Sequence, residues 1–207
     1  MEWSLFIVSV LSAAVRMGIP IAFAGIGVVI SEKAGVLNIG CEAEMLMGAF
    51  VTFVVAYSTG STLLGVVAGG VSGMLVALII GYLAISRKQD QSVVGIVLNI
   101  FMVGFTSFLY RALYGNQSSL SINTIDSIAI PGLSKIPFIG SVFFDQTILY
   151  YLLLIVAFVS WFVMNKMKVG LQLRAVGENP KAAQSCGINV VRFRYVALSI
   201  AGFLSGI

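Results

Sequence analysis

The sequence predicts an all-α, polytopic helical membrane protein, and three observations carry that prediction. Hydrophobic residues make up 59% of the 207 and charged residues only 10%, against about 25% charged in an ordinary soluble domain. Three runs, Met45–Ser86, Gln91–Tyr110 and Gln146–Asn165, hold no Asp, Glu, Lys or Arg; a bilayer-crossing helix needs about 20 apolar residues, so the first run is long enough for two. Charge gathers instead in one polar stretch, residues 166–194, where Lys166, Lys168, Arg174, Lys181, Arg192 and Arg194 stand against a single acid, Glu178. The expected organisation is one transmembrane domain over residues 1–207, with about five complete spans, the start of a sixth and a polar loop at 166–194.

The first span is expected over Leu5–Ile30, weakened at Gly18-Ile19-Pro20 because proline removes a backbone hydrogen bond and crowds the preceding turn. Arg16 lies near its middle, where a charge costs roughly 3 kcal/mol on insertion scales. Either it faces protein or water along a solute path, or it snorkels to an interface from a shorter segment. Ser31–Gly48 then interrupts the apolar sequence with Glu32, Lys33, Asn38, Glu42 and Glu44, and Gly35 and Gly40 break helical continuity. Irregular backbone at membrane depth is tolerated only where protein or a water-filled cavity satisfies it. The segment is therefore expected to line something, the other reading being a solvated turn.

Met45–Ser86 divides at the turn formers Tyr57–Ser61 into two spans in a tight hairpin. In the second, Ser61, Gly65, Gly69, Gly73, Ala77 and Gly81 recur every four residues, a small face on which another helix can pack closely. After the polar turn Arg87–Asp90, the fourth span runs over Val93–Tyr110 with Asn99 near its centre, either as interhelical glue worth about 1 kcal/mol or as a group on a solute path. Arg111–Asp145 is a long connection holding Pro131, Pro137 and a polar patch at Asn116–Ser119, suited to docking an outside partner. The fifth span, Gln146–Met164, ends on Trp161, Lys166 and Lys168 as interface anchors do. A further apolar helix over Tyr195–Ile207 stops after 13 residues, too few to cross, so the sequence reads as cut short or as lacking the partner helices that complete it.

Loop charges predict orientation. With 166–194 cytosolic, nine Lys and Arg lie inside against Arg111 and Lys135 outside, as positive-inside bias demands. The same bias, not nucleic-acid binding, accounts for the net charge of +4. No cleavable signal peptide is evident in the acidic start MEWSLFIVSV.

Within the polar stretch the local chemistry is specific. Asn179-Pro180 is a favourable N-cap and first position, Lys181, Ala182, Ala183 and Gln184 continue a helix, and Gly187 stops it. The expectation is a short capped helix over Glu178–Ser185 on a basic stem. Other chemistry is missing from the sequence. There is no histidine, and Cys41 and Cys186 are the only cysteines, which excludes a His-based triad or metal site and leaves no disulfide framework. No GxxxxGK[ST] loop occurs, so the chain is not expected to bind ATP itself. No catalytic residue, metal or cofactor is expected.

Two stretches, GVLNIGCEAEMLMGAF (Gly35–Phe50) and LQLRAVGENPKAAQSCGINVVRFR (Leu171–Arg194), resemble the permease subunits of bacterial ABC importers for nucleosides, ribose and other simple sugars, kin of the branched-chain amino-acid permeases. The resemblance runs over essentially the whole chain. It implies a permease of the bacterial cytoplasmic membrane that pairs with a second permease chain, cytosolic ATPase subunits that bind the ATP, and an external solute-binding protein. It further implies that Arg174, Gly177, Glu178, Asn179, Pro180, Ala182, Ala183, Gly187 and Ile188 belong to a coupling segment that fits a groove on the ATPase. Where that family usually reads NIG-x-EG, this chain has Ala43 and an added acid, Glu44. The expected solute is a nucleoside, then a simple sugar, then a branched-chain amino acid, with Arg16, Asn38, Glu42, Glu44 and Asn99 as candidate path residues. The reading of a different class is an ion-coupled secondary transporter working without ATP, for which Arg16 and the break near Gly35–Glu44 would be the ionisable group and the discontinuous helix.

Overall fold

The computed structural model describes residues 2–115, 127–129 and 143–207. Along the chain run α1 (Glu2–Lys33), α2 (Cys41–Thr59), α3 (Thr62–Gly81) with a π-turn at Tyr82–Ser86, α4 (Gln91–Tyr114), α5 (Ile148–Lys166), α6 (Lys168–Glu178), α7 (Pro180–Ser185) and α8 (Val190–Gly206). Five of the helices are long and apolar enough to cross a membrane: α1 to α5, with α3 counted through Ser86. The polytopic all-α reading therefore stands. A short antiparallel ribbon, β1 (Ser127–Ala129) with β2 (Asp145–Thr147), is the one departure among the described residues. The patch at Asn116–Ser119 lies outside them.

Several boundaries differ from the sequence expectation. α1 is longer than Leu5–Ile30 and continues through Pro20. The proline forfeits one hydrogen bond in a 32-residue helix, and the ring is exposed, where it displaces no neighbour. The irregular part of Ser31–Gly48 shrinks to Ala34–Gly40, because Glu42 and Glu44 already belong to the first turn of α2, where acids suit the helix dipole. The stretch 166–194 is not one loop around a short helix: α6 fills its first part, with Gly170, Leu173 and Val176 buried on one side. The α2–α3 hairpin turns as expected, with Gly60 at φ 71° closing α2.

At the centre stands α3, with 44% of its span buried, while none of α5 is. Its partners are α2 and α8, and α8 also packs on α1. The seam is made of backbone. A Cβ at Gly73 would stand 2.8 Å from Gly206 Cα and would collide with the Gly202 carbonyl, and a Cβ at Gly69 would meet the carbonyls of Gly206 and Gly48. Gly65 lies against Thr52 and Ala56 on α2, and Gly81 against Tyr195 and Leu198 on α8. Ala77 is fully buried beside Gly202. The four-residue stripe thus turns its lower part to α8 and its upper part to α2.

Loops alternate between two ends. Lys33, Arg87, Lys88, Lys166 and α6–α7 share one end, tied by Leu37 N–H to Gln91 Oε1 at 2.7 Å and by Ser86 Oγ to the Tyr195 hydroxyl at 2.6 Å. At the other end Phe53, Tyr57, Tyr110 and Tyr114 cluster, Phe53 and Tyr114 with ring centroids 5.4 Å apart, where α2 and α4 finish. Aromatic rings are at home at a membrane–water boundary.

Candidate functional site

The break between α1 and α2 is built from the chain's own polar groups. Gly35 takes φ 76°, a left-handed conformation that glycine adopts without strain, and Ala34 and Val36 both donate to the Ser31 carbonyl at 3.0 Å. From there the chain runs alongside α4. Gln91 receives the Leu37 amide, and Asn99, eight residues further on or about 12 Å along the axis, donates Nδ2–H to the Ile39 carbonyl at 3.0 Å. The N-cap of α2 is Gly40, which has no side chain to offer. Asn99 supplies the missing acceptor from another helix, its Oδ1 taking the Ala43 amide at 2.9 Å. Gly95 sits one turn before Asn99, where a Cβ would stand 2.8 Å from Ile39 Cβ and 2.9 Å from Gly40 N. Gly95 and Asn99 together form a notch that receives the irregular backbone.

Inside the break, Asn38 is 3% and Glu44 0% exposed. Asn38 Nδ2 donates to both carboxyl oxygens of Glu44 at 3.0 Å, while Asn38 Oδ1 is buried without a hydrogen-bond partner. Glu42 is exposed, with Asn99 Nδ2 3.5 Å from its Oε2. Asn38, Glu42, Glu44 and Asn99 are therefore brought together at the start of α2. Arg16 is not. It is exposed on α1, one turn from Ser12, whose hydroxyl meets Gln146 Nε2 at 3.4 Å just before α5. That places Arg16 near the aromatic end of the spans and not at mid-depth, about 25 Å along the helix from Lys33.

The basic end carries the second part of the site. Asn179 caps α7, its Oδ1 accepting the Ala182 amide at 3.1 Å, with Pro180 at the first position and Gly187 at φ 80° beyond the end. α7 spans Pro180–Ser185, shorter than the expected Glu178–Ser185 because Glu178 closes α6. Ala183 is buried, Ile188 is half-buried, and Glu178, Asn179 and Ala182 are exposed. Arg174 holds α6 to α5, donating Nη2–H to the Met164 carbonyl and to Asn165 Oδ1, both at 2.7 Å.

The two parts touch. A Cβ on Gly177 would run into the Lys33 carbonyl, and one on Gly35 would stand 3.1 Å from Gly177 Cα. Arg194 Nε donates to the Ala34 carbonyl at 3.3 Å. The roles of Gln91, Gly95 and Tyr195 and the Arg194–Ala34 link are not predicted by the sequence. The four-residue spacing of Gly95 and Asn99 was a signal that could have pointed to the notch, whereas the other contacts leave no local trace. Among the described residues no cluster of His, Cys, Asp or Glu could hold a metal, and Cys41 and Cys186 are free.

A bundle of apolar spans, an irregular break hydrogen-bonded to a neighbouring span and a capped helical knob at a basic end define a multi-pass α-helical membrane protein. The chain belongs to the family described as branched-chain amino acid transport system / permease component, whose model matches residues 10–207. It is 37% identical to a guanosine ABC transporter permease protein of Bacillus subtilis over 91% of this chain and 61% of that one. It is 36% identical to a nucleoside ABC transporter permease protein of Lactococcus lactis over 91% of this chain and 62% of the relative. To a putative glucose ABC transporter permease protein of Haloferax volcanii it is 37% identical, over 97% and 61%. The chain thus spans a little over 60% of the length of these relatives. No solved structure matches it.

Proposed function

We propose that the chain is the greater part of a permease subunit of an ABC importer, forming half of the membrane path for a nucleoside or simple sugar. It performs no covalent chemistry. ATP is bound and hydrolysed by cytosolic ATPase subunits, a second permease chain completes the path, and an external binding protein delivers the solute. The basic end lies in the cytosol and the aromatic end outside, across the bacterial cytoplasmic membrane.

The observation that supports this best is the contact of the two helices flanking the knob, through Gly177 and Arg194, with the break. α7, with Arg174, Gly177, Glu178, Asn179, Pro180, Ala182, Ala183, Gly187 and Ile188 in or around it, is the surface on which the ATPases push. Gly177 and Arg194 carry the push to Lys33–Gly35, in the same irregular segment as Asn38, which holds Glu44 on the path. Alternating access then follows from two arrangements of a packed element that ATP binding and release select between. Arg16, at the aromatic end, belongs to the entrance.

The test is uptake of labelled guanosine, glucose and leucine into proteoliposomes holding the full-length protein with its partner subunits. ATP-dependent uptake of guanosine or glucose is expected. Uptake of leucine alone would favour the branched-chain amino-acid reading, the third choice, which the family's description supports. Uptake driven by an ion gradient without the ATPase would overturn the importer. Glu178→Arg or Ala182→Asp is expected to abolish co-purification with the ATPase.

A further inference from the structure

Between α1 and α5 lies a cleft of about 670 Å³. It exists because the facing residues are small: Ala22 and Gly25 on α1, Ala157 and Ser160 on α5. A Cβ added to Gly25 would meet nothing within 4 Å. At the basic end the cleft stops at Lys33 and Arg174. Lys33 is exposed and ends α1. The acceptors of Arg174, the Met164 carbonyl and the Asn165 amide oxygen, are neutral, and among the described residues neither cation is paired with a carboxylate. Trp161, 53% exposed, stands beside them.

We propose that this cleft holds one anionic phospholipid, an acyl chain lying along Gly25 and Ser160 and the phosphate between Lys33 and Arg174. An apolar cleft open to the hydrocarbon interior is solvated by lipid tails. Two uncompensated cations at the boundary select the headgroup by charge, as basic pockets between spans do. The level is right, since Lys33 and Lys166 end their helices there and tryptophan sits at headgroup depth. A zwitterionic lipid would fill the cleft equally well but would leave the cations without a net opposite charge. This inference does not depend on what the protein transports.

The experiment is native mass spectrometry of the full-length protein in its assembly, taken from nanodiscs of phosphatidylcholine mixed with phosphatidylglycerol. Phosphatidylglycerol is expected to be the lipid retained. Lys33→Glu should lower its retention by about fivefold or more, the worth of roughly one cation at an anionic surface. Gly25→Phe, at a position where an added Cβ has nothing within 4 Å, puts its ring into the cleft and should displace the lipid while leaving the assembly intact. Lys88→Glu, an equal change of charge in the exposed turn before α4 and outside the cleft lining, should leave retention unchanged. Equal retention of both lipids, or an effect of Lys88→Glu as large as that of Lys33→Glu, would overturn the site. So would Gly25→Phe releasing a protein partner and no lipid, because the cleft would then be a helix-docking groove.

Discussion

The α3–α8 seam and the break between α1 and α2 solve the same problem, holding two backbones close inside a membrane, by opposite means. At the seam Gly69, Gly73, Gly202 and Gly206 remove side chains until backbone meets backbone, and contact surface does all the work. At the break Gln91, Asn99 and Arg194 add polar side chains that take over the hydrogen bonds the helix would have made. Lipid tails are as apolar as leucine, so close packing and hydrogen bonds are what associate helices there. A close-packed seam has one good arrangement. Side-chain hydrogen bonds to a seven-residue irregular segment can be exchanged one for another. The seam is the frame, and the break is the place to look for movement.

The largest expected effect breaks the frame. Gly73→Leu drives a side chain into the backbone of Gly202 and Gly206, which cannot move aside as a flexible side chain would. A cost of about 3 kcal/mol or more is expected, read as loss of the monodisperse peak in detergent gel filtration. Gly104→Ala is the contrast, since a Cβ there meets nothing within 4 Å. It should leave that peak intact and raise helix stability by under about 1 kcal/mol. If both glycines tolerated substitution equally, the seam would not be a close-packed frame.

Next in size is the buried pair. Asn38→Leu strips Glu44 of an amide that contacts both of its carboxyl oxygens, at a site with no exposure. A group so placed loses about 2 kcal/mol, measurable as a lower unfolding temperature in detergent. Glu44→Gln keeps the shape and retains an acceptor for Asn38, so its unfolding temperature should fall by less. The reverse order would mean that the amide matters to Glu44 only as packing.

Asn99→Ala comes third. It leaves the Ile39 carbonyl and the Ala43 amide without their side-chain partner, a lost cap worth about 1 kcal/mol. Faster hydrogen exchange confined to residues 39–45, with the seam unchanged, is the expected result. Exchange that rose equally in α3 and α8 would show that break and frame are one cooperative unit.

How much of this was legible in the sequence depended on how local the cause was. The four-residue stripe on α3 is visible because small residues at one spacing share a helix face, and Gly60, Gly35 and the Asn179-Pro180 cap are visible because each turn is decided by its own residues. The partner of the stripe was not visible. Gly202 and Gly206 stand in the sequence, but nothing local pairs them with Gly73 and Gly69. Asn99 illustrates the same limit, since it acts on a helix start 56 residues away. α6 was missed for another reason: Lys168, Arg174 and Glu178 mask the buried Gly170, Leu173 and Val176, so charge read as loop. Pro20 misled in the opposite sense, because one missing hydrogen bond is a small fraction of a 32-residue helix.

The smallest effect on stability sharpens the comparison most. Asn179→Ala removes the side chain that receives the Ala182 amide, which costs about 1 kcal/mol of local helix stability. α7 is six residues long and largely exposed, so this loss is not shared with the spans, and the unfolding temperature of the whole protein should not move. Exchange at residues 181–186 should quicken. If the knob works by being a preformed helix, binding of the ATPase must then also bear the cost of ordering it, and affinity should fall by about fivefold. Asn179→Asp keeps the cap and should restore both readouts. Restored exchange without restored binding would place the role of Asn179 in direct contact with the partner instead of in the shape of α7.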